Sequence, residues 1–126
     1  MSDTISECSD VNPKNEVLCA DNIVHYIMCT PVDPDEAVRL STLGKGFVET
    51  GQAQYVLIDL RRSTEFSSSA RKIWVEFLQN DKIKKTALFG GNVFVKTLAT
   101  FVMAATGKKD IKFFNSEDEA RAWFKE

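Results

Sequence analysis

The chain has 126 residues, of which 44% are hydrophobic and 27% charged, and its formal net charge is −2. This length and composition indicate one globular domain and exclude an intrinsically disordered chain. The slightly acidic balance gives no electrostatic argument for a nucleic-acid partner.

The N-terminal residues 1–14 are rich in Ser, Asp and Asn, and they lack the basic start and apolar run of a targeting segment. They are predicted to form a flexible tail, so that the folded domain spans residues 15–126. This domain is predicted to open with a β-hairpin of Glu16–Ala20 and Ile23–Cys29. Its turn is Asp21-Asn22, a pair that suits the tight turns of hairpins.

The three cysteines are Cys8, Cys19 and Cys29, an odd number without the spacing of a metal site. Because two of them fall in predicted strands, they are predicted to be buried reduced thiols rather than parts of a disulfide framework. Reduced thiols in turn predict a cytoplasmic protein. No metal ion or other cofactor is predicted.

The first helix is predicted to begin at Asp33, which can act as its cap, with Pro34 in the first turn and Glu36 completing a capping box. Two glycines, Gly44 and Gly46, lie within it and weaken it. They either allow close packing against the sheet or make the helix bend or end early. The buried face of this helix is predicted to contain Leu40, Leu43, Phe47 and Val48.

From residue 55 onward, strands and helices alternate. The predicted strands are 55–60, 86–89 and 111–114, and the predicted helices begin at Ser67, Asn92 and Ser116. The whole order, β-β-α-β-α-β-α-β-α, predicts a single α/β domain with four helices and a mixed, mostly parallel sheet opened by an N-terminal β-hairpin. The core positions on the helix faces are predicted to include Trp74, Phe77, Trp123 and Phe124.

Three segments carry a family resemblance: VLIDLRR with the following SSSAR, then TALFGGN, and finally DIKFFNSEDEARAWF. Through them residues 16–126 resemble the STAS-like superfamily. The chain is most similar to an uncharacterised bacterial branch described as STAS- or CRAL-TRIO-like, which is related to the anti-sigma-factor antagonists. The resemblance implies a non-catalytic binding or regulatory module that acts through a protein partner or a small apolar or anionic ligand.

The same resemblance implies a phosphorylation site. In the anti-sigma-factor antagonists an aspartate ends the third strand, and the next helix starts with Asp-Ser, whose serine receives phosphate from a partner kinase. This places Asp59 at the strand end and Ser68 at the phosphorylated serine. The chain differs from the family at Ser67, where the family has aspartate, and at Ala70, where it usually has glycine. Read from the residues alone, Ser67 is a helix cap and the serines after it are solvated.

A second candidate site is the segment Gly90, Gly91 and Asn92, which links a strand to a helix. Two glycines let the backbone approach a ligand, and free N–H groups at a helix start favour an anion. The alternative is a tight turn with Asn92 as a helix cap. The segment lacks the Lys-Ser/Thr of a P-loop, so nucleotide binding is not favoured. Together with Asp59 it would form the edge of a pocket.

The helix at residues 93–105 is apolar on nearly all sides but too short to span a bilayer, so no transmembrane segment is predicted. It is predicted to be a well-buried helix crossing the sheet. The alternative is an exposed apolar strip that contacts a lipid chain, a membrane surface or a second subunit, which would make a homodimer.

An enzyme is the third class of function, and the sequence argues against it. The single histidine, His25, lies in a predicted strand without the partners of a catalytic triad or dyad. No paired carboxylates and no cluster of metal ligands stand out in the sequence.

Overall fold

The structure, a computed structural model, describes residues 8, 11, 13–63 and 65–126. Within them the strands and helices follow in the predicted order. The strands are β1 (Glu16–Ala20), β2 (Ile23–Ile27), β3 (Tyr55–Asp59), β4 (Lys85–Phe89) and β5 (Ile111–Phe114). The helices are α1 (Pro34–Glu49), α2 (Ser68–Leu78), α3 (Val93–Thr106) and α4 (Glu117–Phe124). The predicted tail falls mostly outside the described residues, so its flexibility stays a prediction.

The five strands form one sheet in the order β1-β2-β3-β4-β5. Asp21 and Asn22 join the antiparallel pair β1 and β2 with φ angles of 54° and 70°, the left-handed conformation that tight hairpin turns require. The remaining pairs are parallel, so β2 to β5 all end at the same edge of the sheet. We call the segments that follow β3 and β4 at this edge the rim. The rim consists of residues 60–63, 65–67 and 90–92.

The helices cover the sheet unequally. Helices α1, α2 and α3 pack on one face of the sheet, and α4 alone packs on the other. The alternating side chains of each strand therefore enter two separate cores. The larger core contains Trp74 and Phe77 of α2, and the smaller one contains Trp123 and Phe124 of α4. All four are buried, so their predicted core positions are confirmed.

Helix α1 begins as predicted. The Asp33 carboxylate accepts a hydrogen bond from the Glu36 N–H at 2.9 Å. The predicted buried face is wrong at Leu43, which is 42% exposed, whereas the neighbouring Gly44 is buried. The reason is Tyr26 of β2, whose side chain stands against the helix at Gly44 and leaves no room there for a larger residue. Of the two alternatives for Gly44, close packing is the one observed.

The prediction of three reduced thiols is wrong for two of them, because Cys8 and Cys29 form a disulfide. Strand β2 ends at Ile27, two residues earlier than predicted, so Cys29 lies beyond the sheet. The buried Asn15 accepts hydrogen bonds there from the N–H groups of Cys29 and Thr30, at 2.6 and 2.9 Å, which brings the N-terminal segment to Cys29. The cytoplasmic location loses its support from the cysteines and stays a prediction.

Candidate functional site

The start of α2 lies at the rim and presents three consecutive serines. The Ser67 hydroxyl accepts a hydrogen bond from the Ala70 N–H at 3.1 Å, which confirms the predicted cap. The Ser67 N–H in turn donates to the Val32 carbonyl at 3.1 Å and fixes the loop on the sheet edge. Ser67, Ser68 and Ser69 are all exposed, so the Ser68 side chain is accessible to a modifying enzyme.

Asp59, which ends β3, does not join these serines. It is only 3% exposed, and its carboxylate accepts hydrogen bonds from the Arg61 backbone N–H at 3.0 Å and from the guanidinium at 2.7 Å. The Asp59 side chain lies on the same face of the sheet as Leu57, the face that α4 covers, whereas α2 lies on the other face. The Arg61 guanidinium also lies 3.9 Å from Glu117 of α4. A ligand contact of Asp59 stays a prediction.

The Gly90 and Gly91 segment is shaped by close packing within the rim. Both residues have φ near +90°, a conformation that side chains rarely adopt. A Cβ on Gly90 would lie 3.0 Å from the Arg61 backbone nitrogen. The Asn92 side chain accepts a hydrogen bond from the Val95 N–H at 2.8 Å and caps α3 as predicted. A tight capped turn accounts for these features, and a ligand role of the three residues stays a prediction.

His25 lies on the α4 face of β2 and is half-buried. Burial lowers the pKa of His25 from its ordinary value, and Glu117 opposes this effect. The part of the chain that the structure describes contains no group of three or more His, Cys, Asp or Glu side chains that could hold a metal ion. The prediction that the chain is not an enzyme remains a prediction.

The prediction of a well-buried α3 is wrong. Val93, Phe94 and Phe101 are 82%, 61% and 63% exposed. The helix lies at the end of the three-helix layer, where it packs against α2 and β5. Of its side chains only Val95, Ala99 and Thr106 are buried. Among the described residues, no helix is both long and apolar enough to cross a membrane.

An apolar cavity of about 40 Å³ lies between α2 and α3, under the rim. Sequence reasoning missed it. Two nitrogen atoms of lining residues, Trp74 Nε1 and Arg71 Nε, are buried and have no hydrogen-bond partner among the described residues. The only sign of this cavity in the sequence was Arg71, a charged residue near the start of α2 within its apolar stripe. The lining residues are Ile58, Leu60, Glu65, Phe66, Arg71, Trp74, Leu78, Leu88, Val95, Leu98, Ala99 and Val102.

Comparisons with known proteins identify the family. A family model described as SpoIIAA-like matches residues 24–125, most of the chain. No curated protein sequence matches at a significant level. The chain belongs to the SpoIIAA-like family, which confirms the STAS-like resemblance.

Solved structures show the same fold. The anti-sigma factor antagonist SpoIIAA in its unphosphorylated form aligns with a TM-score of 0.67 at 10% identity, over 89% of this chain and 98% of that one. The Bacillus cell fate determinant SpoIIAA in the phosphorylated form gives 0.65 at 11% identity, over 88% and 99%. An uncharacterised protein of the DUF3478 family from Shewanella loihica gives 0.61 at 16% identity, over 87% and 91%.

Proposed function

We propose that this member of the SpoIIAA-like family is a regulatory module that binds a partner protein through the start of α2 and the exposed side of α3. The observation that carries the proposal is the exposure of Val93 and Phe94 at the same rim as Ser67 and Ser68. Both helices follow parallel neighbouring strands, so both begin at this edge of the sheet.

The composition of this surface suits a protein interface. Large apolar side chains that stay exposed beside polar groups are typical of interaction sites. The aromatic ring of Phe94 supplies an anchor, and the serines at the start of α2 supply hydrogen-bonding groups. The fold supports the same role, since one similar structure is that of an anti-sigma factor antagonist, a protein defined by its action on another protein.

We propose Ser68 as the site of regulation by phosphorylation. The residue is exposed in the first turn of α2, where a phosphate is stabilised by the helix dipole and does not disturb the cap made by Ser67. The added charge would change the surface that a partner meets. One of the similar structures was solved in a phosphorylated form, which supports this proposal.

The test compares the host proteins captured by four versions of the purified chain: wild type, Ser68→Asp, Ser69→Asp and Phe94→Ser. Ser69→Asp is the matched control, because it adds the same charge to the same helix turn on a different side. We expect a partner that binds wild type and Ser69→Asp but is reduced about tenfold or more with Ser68→Asp and Phe94→Ser. Equal capture by all four versions would contradict the proposed surface.

A second candidate function is binding to a membrane surface or lipid through α3. The helix exposes Phe94 and Phe101, contains no acidic residue and carries the exposed Lys96, a pattern that interfacial helices share. Sedimentation with anionic vesicles tests it, and Phe101→Ser should reduce the bound fraction. A wild-type chain that stays in the supernatant would leave the protein partner as the occupant of this surface.

A homodimer would cover the same side of α3. Sedimentation velocity distinguishes it, because Phe101→Ser should then convert dimers to monomers while the vesicle experiment shows no binding. We also propose a cytoplasmic location for the module, in line with its resemblance to bacterial regulators.

A further inference from the structure

The exposed side of α3 carries a regular row of side chains along the helix. Phe94 and Phe101 lie two helical turns apart, and both are more than half exposed, at 61% and 63%. Thr97 and Ala104, which follow them in the sequence at positions 97 and 104, are exposed as well. This alternation of steps of three and four residues is the spacing at which a second helix packs along a first. We call these four residues the α3 stripe.

The α3 stripe and the residues beside it carry no charge. Lys96 is the only charged residue of the helix, and it lies away from the stripe, toward β5, where its ammonium group is 5.4 Å from the centre of the Phe113 ring. The residues that flank the stripe, Val93, Thr100 and Ala105, are exposed and uncharged. Depletion of charge is typical of the centre of a protein interface. Two copies of α3 can therefore approach each other without bringing like charges together.

The α3 stripe alternates large and small side chains, and this order is self-complementary. When two copies of α3 pack antiparallel with Ala99 of both at the same level, Phe94 faces Ala104 of the partner subunit, and Thr97 faces the partner's Phe101. The two-fold axis repeats both contacts, so every aromatic ring meets a small residue. Facing residues of opposite size interdigitate, whereas facing rings would hold the helices apart. A lipid surface does not require this order, but a second copy of the chain uses it.

We propose that two copies of this chain associate through their α3 stripes, antiparallel and in this register. The inference rests on the proposed function in that both treat the exposed side of α3 as an interface. It adds a means of regulation, because Phe94 belongs to both contacts, so that the dimer and a complex with a host partner exclude each other. One pair of helices buries less area than a standard interface of about 1,600 Å², so the dimer should dissociate at micromolar concentrations.

Sedimentation velocity of the full chain, at concentrations from about 5 to 200 μM, measures this association. Ala104→Phe places a ring against Phe94 of the partner subunit and should weaken the dimer about tenfold or more. Phe94→Ala combined with Ala104→Phe again sets a large residue opposite a small one. Its dissociation constant should therefore return to within about threefold of the wild-type value. Both residues are exposed, and thermal unfolding checks that each variant keeps the fold.

Phe94→Ala combined with Thr97→Phe is the matched control. It also moves one ring along the α3 stripe, at a position that is exposed. In the proposed register, however, the new ring meets Phe101 of the partner subunit. The dimer should therefore stay about tenfold or more weaker than wild type. Recovery with Ala104→Phe and none with Thr97→Phe would identify the register as well as the interface.

Two results would overturn the proposal. One is a wild-type chain that stays monomeric at the highest concentration, whether or not it sediments with anionic vesicles. The other is a dimer on which the two double variants have the same effect. Failure of the proposed function is seen separately, as equal capture of host proteins by wild type and Ser68→Asp, because that comparison leaves the α3 stripe unchanged.

Discussion

Replacing Gly44 by alanine should destabilise the protein, although alanine is favoured over glycine within a helix by about 1 kcal/mol. The new methyl group would meet the Tyr26 hydroxyl, with Cζ of Phe77 at 2.8 Å and Cζ of Tyr26 at 3.0 Å. These buried rings cannot move without disturbing the hydrogen bond that Tyr26 donates to the Leu40 carbonyl at 2.8 Å. Overpacking costs about 1–3 kcal/mol and weakening this bond about 1 kcal/mol more. The net loss should be about 1–3 kcal/mol.

Gly46 provides the matched control in the same helix. It is exposed, and a Cβ there would meet nothing within 4 Å. Gly46→Ala should therefore stabilise the protein by about 0.5–1 kcal/mol. Urea unfolding followed by circular dichroism measures both changes from the midpoint at constant slope. In a Tyr26→Phe background, which removes the nearest oxygen, the penalty of Gly44→Ala should shrink. If Gly44→Ala stabilises as much as Gly46→Ala, the close approach of Tyr26 to α1 is refuted.

Three further changes test a cap, the smaller core and a half-buried histidine. Ser67→Ala should cost about 1 kcal/mol in urea unfolding because α2 loses its cap, whereas Ser69→Ala should change stability by less than about 0.5 kcal/mol. Trp123→Ala should cost about 3–5 kcal/mol, and an unchanged melting temperature would contradict its core position. Because burial lowers the pKa of His25 from 6.5, the unfolded chain binds the proton more readily. The contribution of His25 to stability should be full above about pH 6.5 and fall below it, and His25→Gln should reduce that slope.

The sequence predicts the fold well where the signals are local. The turn at Asp21-Asn22 and the caps at Asp33 and Ser116 depend on neighbouring residues, and the structure has all three. Leu43 was wrongly predicted to be buried because the residue that packs against α1 at this point is Tyr26, which is distant in the sequence. The disulfide of Cys8 was missed for the same kind of reason, since its partner is brought close by the hydrogen bonds of Asn15.

The candidate site was predictable only in part. The cap made by Ser67 and the exposure of Ser68 agree with the local pattern, because a helix start at a sheet edge is normally solvated. The burial of α3 was mispredicted because composition reports how apolar a helix is, not how many neighbours it has. The cavity arises from the gap between two helices, so only the position of Arg71 within the apolar stripe of α2 hinted at it.

The two faces of the sheet differ in the large apolar side chains that their helices expose, and this difference supports the proposed binding surface. On the α4 face, Asp59 pairs with Arg61, and Glu117 pairs with Arg121 at 2.7 Å. On the other face the exposed apolar side of α3 would gain from a partner that covers it. Binding by this domain should therefore concentrate on the α2 and α3 side of the rim, where loss of function is expected from changes that leave its stability intact.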